Sequence, residues 1–425
     1  MKRGFYTIMS AQFFSSLADN ALFVAAVEML KGAGAPTWQR TALVPMFALF
    51  YVVLAPFLGA FSDAVPKGRV MFYSNAIKVA ACLMMLWGSH PLIAYAFVGL
   101  GAAAYSPAKY GILTELLPTS QLVKANGWIE GLTILSVILG VGVGGQLIGP
   151  RISPYLLSFD VPFIDLGIRT PAQATVAFMV LLYAIAAAFN LRIPRTDAVL
   201  EPFGGRVTEL VRDFSQCNAR LWDDKLGQIS LATTTLFWGA SANLRYLVLA
   251  WAGAALAYDT PRATFLLLLV GLGTAAGAMV ASMTVRLVHA THVILLGAAL
   301  GAAVIAINGM HSVWVAGPFL IVLGAIGGFM VVPMNALLQH RGHNLMGSGR
   351  SIAVQNFNEQ AAILGLGAFY SALTRGGLSV FVSIGVFGGL VAFASWLIWR
   401  WHKRNLVEHR EEVEGLLAIA RSDDH

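Results

Sequence analysis

Charge is what this sequence has least of. Only 12% of its 425 residues are Asp, Glu, Lys or Arg, while 57% are hydrophobic. Soluble domains carry about 25% charged residues, so a large soluble helical protein is excluded: too few polar side chains remain to cover its surface. The two cysteines, Cys82 in an apolar run and Cys217 in a polar one, make neither a disulfide framework nor a thiolate metal site. There is no Lys/Arg-rich block with interleaved aromatics, so the net charge of +7 is no nucleic-acid footprint and no nucleic-acid partner is expected. No G-x-x-x-x-G-K-[ST] loop is present, which speaks against ATP as an energy source. The run "GVGVGG" at 140–145 lacks the strand–turn–helix setting of a dinucleotide site. No Ser/His/Asp constellation or His/Glu metal spacing lies on the apolar runs, so no enzyme activity, metal or cofactor is expected. The start, "MKRGFYTIMSAQFF", is basic but has no small-residue cleavage site, so the first apolar segment is expected to stay in place.

What fills the chain instead is apolar runs long enough to cross a bilayer, which takes about 20 residues each. Twelve are read, at 5–30, 41–62, 70–88, 91–117, 123–148, 171–191, 227–257, 262–285, 289–308, 312–338, 349–373 and 378–400. With both termini placed in the cytoplasm, only Lys31, Arg40, Arg151, Arg169, Arg262 and Arg375 fall outside. Lys78, Lys109 and Arg245 fall within spans, and the rest of the 28 Lys and Arg lie inside. That asymmetry is the positive-inside bias. The polar segment 192–226, punctuated by Pro194 and Pro202, divides the spans six and six. The expected organisation is therefore an N-terminal six-helix bundle (1–191), a cytoplasmic linker (192–226), a C-terminal six-helix bundle (227–400) and a cytoplasmic tail (401–425). The outer stretch 149–170 is long and apolar, and is read as packing at the membrane interface.

The halves resemble each other. A shift of 223 residues lays "FFSSLADNAL" over "LFWGASANLR" and Asn20 over Asn243; near span four a shift of 226 lays Pro107 over Pro333. "VKANGWIEG" and "AVQNFNEQA" each carry an Asn followed closely by a Glu, namely Asn126/Glu130 and Asn356/Glu359. Each match is weak, but their common order argues for duplication. Two facing six-helix bundles leave a central cavity, where a transporter's substrate site is expected.

Ionisable groups inside spans are costly and usually functional. Asp19, Lys78, Lys109, Glu130, Arg245 and Glu359 qualify. Asp19 with Asn20, and Arg245 with Asn243, stand at corresponding heights in spans one and seven. They are expected to face each other across the cavity, where they can pair or separate to take an ammonium and a phosphate. Pro107 removes a helical partner from the carbonyl near residue 103; a bend there can aim Lys109 inward, flanked by Tyr105 and Tyr110, as a phosphate binder. Lys78 has only Asn75 as a local partner, and structural and functional readings stand level. Glu28 and Glu115, near span ends, are read as snorkelling.

Between spans two and three, "GAFSDAVPKGRVM" holds Gly59, Asp63, Lys67 and Arg69. It resembles the G-x-x-x-D-x-x-(R/K)-x-G-R loop of the major facilitator superfamily, with the glycine displaced between the basic residues. Gly59 permits close helix approach, Asp63 suits a positive helix N-terminus, and Lys67 and Arg69 suit carboxylates or lipid phosphates. These four are expected to form a conformational gate. In the second half Arg286 takes the place of Asp63, so the pattern is not repeated. Gly140, Gly142 and Gly144 of span five, and Gly273 and Gly277 of span eight, are expected to line a seam between the halves that parts for an acyl chain.

Taken together, "AQFFSSLADNAL", "APFLGAFSDAVPKGRVM", "FVGLGAAAYSPAKYGILTEL", "LVKANGWIEG", "TLFWGASANLRYLVLAW", "GGFMVVPMNALLQHRG" and "IAVQNFNEQ" resemble the bacterial lysophospholipid transporter family of that superfamily, over nearly the whole chain to about Arg400. The resemblance implies an all-α membrane protein with twelve transmembrane helices in two pseudo-symmetric six-helix bundles. It implies transport of lysophosphatidylethanolamine and lysophosphatidylglycerol from the outer to the inner leaflet of a bacterial inner membrane, by alternating access with lateral entry of the acyl chain. A separate cytoplasmic acyltransferase/acyl carrier protein synthetase would re-acylate them, and the chain is taken to act as a monomer. The substrate-binding set is expected to be Asp19, Asn20, Lys109, Tyr110, Asn126, Glu130, Arg245, Asn356 and Glu359. A proton-coupled exporter of drugs or other amphiphiles is the alternative, since Asp19, Glu130 or Glu359 could carry a proton. The last residues, with apolar positions at 406, 407, 413, 416, 417 and 420, suggest a short amphipathic helix, otherwise a solvated tail.

Overall fold

The computed structural model describes residues 3–158, 168–196, 198–200, 204, 206–258 and 260–422. The helices are α1 (Arg3–Gly32), α2 (Thr37–Val53), α3 (Ala55–Ala64), α4 (Lys67–Leu86), α5 (Pro91–Leu116), α6 (Thr119–Ile148), α7 (Ser153–Leu157) and α8 (Pro171–Leu191). They continue with α9 (Val207–Asp223), α10 (Gly227–Leu256), α11 (Thr260–Thr284), α12 (Leu296–Ala306, flanked by 3₁₀ turns), α13 (Val313–Met346), α14 (Ser348–Arg375), α15 (Val380–Glu408) and α16 (Arg410–Ser422). Among the described residues there is no strand. Among the described residues nine segments are long and apolar enough to cross a membrane, ten with the bent pair α2–α3. α10 and α14, of 30 and 28 residues, carry more polar side chains and complete the twelve. The chain is a multi-pass membrane protein.

Span two is not one helix. α2 and α3 meet at Leu54 with a bend of 63°. Pro56 at the start of α3 donates no backbone hydrogen bond, and its ring opposes the carbonyl four residues back. Pro107 leaves α5 unbroken from Pro91 to Leu116. Residues 159–167 of the expected outer loop (149–170) lie outside the described residues, as do the final three residues of the tail.

The chain forms two compact units: Met1–Leu116, Leu135–Phe214 and Ser348–Ala353 in the first, and Leu117–Ile134, Ser215–Gly347 and Val354–His425 in the second. In the first, α1 packs on α8, α4 on α5 and α8, and α2 on α5. In the second, α10 packs on α15, α12 on α15, and α11 on α13. In span order the pairings one–six, three–six and two–four recur as seven–twelve, nine–twelve and eight–ten, so the two bundles share one design. Glycine makes the corresponding contacts close. A Cβ on Gly99 of α5 would run into the Phe47 backbone of α2, and Cβ atoms on Gly324 and Gly328 of α13 would run into the α11 backbone. Apolar helices in lipid gain from such close approach because packing, not water exclusion, holds them together.

The linker and tail are more ordered than a plain connector and a solvated tail. α9 buries Cys217 and Leu221, and Trp222 at its end stacks on Trp401 with ring centroids 6.3 Å apart. α16 is docked through fully buried Val413 and Ala420.

Candidate functional site

One cluster of buried charge lies in the first unit, around Asp19 of α1. Lys78, on α4 and only 1% exposed, lies 2.8 Å from both carboxylate oxygens of Asp19, whose side chain keeps 18% exposure. Tyr183 of α8 donates its hydroxyl to the same carboxylate at 2.7 Å. Lys78 also donates to Ser15 at 3.0 Å, and Ser15 donates onward to Asn75 at 2.8 Å. The rings of Tyr105 and Tyr183 stand 5.5 and 5.4 Å from the ammonium, within the range of cation–π attraction. Space for the lysine stem comes from Gly101 of α5, where a Cβ would sit 2.6 Å from Lys78 Cγ. The ammonium is therefore fully matched, while the carboxylate is only partly buried.

In this structure the partner of Asp19 is thus Lys78 rather than Arg245, which is exposed and has no ion pair among the described residues. Asn20 is half-buried and donates to the Ser16 carbonyl of its own helix at 2.8 Å. Lys109 is buried with its ammonium 4.0 Å from the ring centroid of half-buried Tyr110; Tyr105 serves Lys78 instead. Local spacing offered Lys78 only Asn75, and its real counter-ion arrives from another helix, 59 residues earlier.

The second unit gathers amides and carboxylates. Asn126 and Gln339 exchange two hydrogen bonds of 2.9 Å, both side chains buried. Gln355 donates to Asn335 at 3.1 Å and to Glu359 at 2.8 Å, and Thr234 also bonds Glu359. Glu130 and Glu359 are both buried, and Asn356 is half-buried. Asn243 donates to the carbonyls of Gly239 and Ile363. Nearer the helix ends, Arg341 forms a buried bidentate pair with Asp224, at 3.1 and 2.6 Å.

A second ionic network lies in the first unit, around Asp63. Its carboxylate accepts from the backbone N–H of Gly349 at 2.6 Å and of Arg350 at 2.9 Å. These are the first-turn donors of α14, which an N-cap acceptor normally satisfies; the preceding residue, Gly347, has φ +87° and offers no side chain. Gly59 allows the contact, since a Cβ there would meet Ala353 and the Arg350 backbone at 2.9–3.0 Å. Lys67 bonds Asp63 at 2.9 Å and the Ser62 carbonyl at 2.6 Å, and lies 3.5 Å from Glu115. Arg350 reaches Asp213 at 2.8 Å. Arg69 is exposed. Glu115 does not snorkel: its side chain is 6% exposed and accepts from Thr196 at 2.6 Å and Ser348 at 2.9 Å. Sequence position at a span end concealed it, because its partners come from three distant segments.

The glycines expected at a seam pack within units. Gly140 and Gly144 lie against Leu17, Asn20 and Ala21 of α1, and Gly142 has nothing within 4 Å. Gly273 and Gly277 of α11 lie against the Ile321 and Ala325 backbones of α13. Span five does meet span eight, but at Gly127, beside Ala278 and Ser282. Small residues allow close contact wherever they occur, so their spacing alone does not name the neighbour.

The Major Facilitator Superfamily model matches residues 8–366. A protein of Photorhabdus laumondii named lysophospholipid transporter LplT is 37% identical over 407 residues, 95% of this chain and 96% of that one. The protein of the same name in Yersinia enterocolitica is 39% identical over 381 residues, 89% of each. Among solved structures, the Escherichia coli fucose:proton symporter FucP superposes with a TM-score of 0.68 at 14% identity, over 94% of this chain and 98% of that one. A bacterial homologue of the iron transporter ferroportin gives 0.67 at 15% identity, over 95% and 100%. These two share the fold alone. The chain belongs to the major facilitator superfamily and, within it, to the lysophospholipid transporter family.

Proposed function

We propose that this protein is a lysophospholipid transporter that carries lysophosphatidylethanolamine and lysophosphatidylglycerol from the outer to the inner leaflet of a bacterial inner membrane. The observation that carries the proposal is the similarity, along nearly the full length of both chains, to relatives named for lysophospholipid transport. The buried cluster in the first unit supplies a means. Asp19 holds an ammonium, that of Lys78, at 2.8 Å, and the headgroup ammonium of a lysophosphatidylethanolamine has the same charge and donor geometry. Exchange of one for the other frees Lys78 to face the adjacent phosphate, and Lys109 and Arg245 add cations along the path. An acyl chain costs nothing to leave in lipid, so only the head needs a polar route. The Asp63 network, which ties α3 to the start of α14, is a gate that opens and closes with transport. Both termini lie in the cytoplasm, the chain works as a monomer, and a separate cytoplasmic acyltransferase/acyl carrier protein synthetase re-acylates the product.

Uptake of labelled lysolipid into vesicles containing the purified protein tests this, beside a diacyl lipid and a cationic drug. Lysolipid alone should be carried; equal transport of all three would reject the assignment. Lys109→Ala and Arg245→Ala should slow uptake without unfolding the protein, and unchanged kinetics in both would remove them from the path.

One observation favours proton coupling on the same fold. Glu359 is buried, and the partners the structure gives it, Gln355 and Thr234, are neutral. If Glu359 carries a proton during the cycle, uptake requires a pH gradient and Glu359→Gln makes it independent of one; gradient-independent uptake by the unaltered protein rejects coupling.

A further inference from the structure

The first unit has a basic cavity beside the Asp63 network, sharing Lys67 with it, that transport of the headgroup does not use. It encloses about 240 Å³ where the start of α4 meets the end of α8 and the first linker residues. On one side are Pro66, Lys67, Gly68 and Arg69, the first turn of α4; on the other are Asn190, Ile193, Pro194, Arg195 and Thr196. Close packing brings these edges together, since a Cβ on Gly68 would lie 3.0 Å from the Asn190 carbonyl and 3.1 Å from Ile193.

Three independent features give the cavity a preference for an anion. α4 is a 20-residue helix whose first turn has no side-chain cap, so its free N–H groups and the positive end of its dipole are turned to this end. Arg69 and Arg195 are exposed at the rim and have no ion pair among the described residues. Asn190 is 1% exposed, lines the cavity, and neither polar atom of its side-chain amide has a partner among the described residues. A buried amide is normally hydrogen-bonded, and an exception calls for a ligand or an ordered water. The acids nearby are engaged elsewhere: Asp63 and Glu115 share Lys67, Asp63 also lies 3.7 Å from Arg350 and accepts two backbone N–H groups of α14, and Glu115 accepts from Thr196 and Ser348. Two guanidiniums, a helix N-terminus and an amide donor are the recognition set for phosphate.

We infer that this cavity binds a phosphate-bearing anion, either the headgroup of an anionic lipid or the phosphate of a soluble molecule. The site is separate from the Asp19 cluster. Because Lys67 belongs both to the cavity wall and to the Asp63 network, occupancy braces the end of the bundle at which α14 is capped.

The test uses the full chain in phosphatidylcholine nanodiscs, with thermal unfolding as readout, since a ligand bound only to the folded state raises the midpoint with concentration. In one arm inorganic phosphate is titrated against chloride at equal ionic strength. In the other, phosphatidylglycerol replaces part of the phosphatidylcholine without added phosphate. A rise with phosphate alone identifies a soluble source, a rise with phosphatidylglycerol alone a lipid headgroup, and both support the site. Arg69→Gln/Arg195→Gln should weaken half-saturation by about tenfold or more. Asn190→Leu, which keeps both charges, should weaken it as well, and each variant is first shown to keep its helical circular dichroism. No rise in either arm, a rise that chloride matches, or one that persists undiminished in the double arginine variant overturns the inference.

Discussion

Removing either member of the Asp19–Lys78 pair should destabilise the protein, but unequally. At 2.8 Å the gross attraction is about 6 kcal/mol for an effective dielectric constant of about 20. Desolvation of the two ions offsets much of it, so replacing both should cost little, whereas removing one partner of a buried pair costs about 3–5 kcal/mol. The structure ranks the two single changes. Asp19→Asn strands Lys78, the more deeply buried charge, and should lie near the upper end of that range. Lys78→Met strands Asp19, which keeps 18% exposure and the Tyr183 hydroxyl, and should lie near the lower end. The double variant should be less destabilised than the sum of the singles by about 2 kcal/mol or more. Unfolding by SDS in mixed micelles, followed by circular dichroism, measures all three. Additive costs, or a larger loss in Lys78→Met, would refute the reasoning. Lysolipid uptake separates packing from transport: Asp19→Asn should abolish it, while Lys78→Met should leave slower uptake with a higher KM, because the cation that meets the headgroup phosphate is gone.

Gly101→Ala should cost about 1–3 kcal/mol by overpacking, since its Cβ would crowd Lys78 Cγ at 2.6 Å and the Ser74 carbonyl at 2.7 Å; an unchanged unfolding midpoint would contradict the tight passage of the lysine. Asp63→Ala removes the cap of α14 and should cost at least about 0.5–2 kcal/mol, with Asp63→Asn milder because one acceptor remains. Equal unfolding midpoints for the two would show that the acceptor is immaterial. Gln339→Leu takes away the donor to the Asn126 side-chain oxygen, while the Asn126 amide N–H keeps the Leu122 carbonyl, and should cost about 1–3 kcal/mol; Asn126→Leu/Gln339→Leu should recover most of it. A double variant as unstable as the single would mean that the pair is not an isolated unit.

The polar residues that fill the two units were visible in the sequence as exceptions within apolar runs, but their partners were not. Asp19 and Arg245 stand at like heights in related spans, yet the carboxylate is taken by Lys78, because helix packing brings α4 against α1's neighbours and Gly101 opens a path for the long stem. Glu115 read as a snorkelling end residue because nothing within a turn of it is cationic; its partners Lys67, Thr196 and Ser348 come from three separate segments. Tyr183, Gln339 and Gln355 carried no signal of their own, since a tyrosine or amide in a span is informative only once its acceptor is known.

Apolar length, the shortage of charge and the sidedness of Lys and Arg were enough to define a twelve-span membrane protein divided six and six. Those are one-dimensional requirements, imposed by bilayer thickness and the cost of placing charge in it. Which ion meets which, which glycine touches which backbone, and where span two breaks belong to the tertiary structure. Contacts between helices depend on rotation and crossing of elements dozens of residues apart, and a low-dielectric interior lets one such contact outweigh every local preference in the chain.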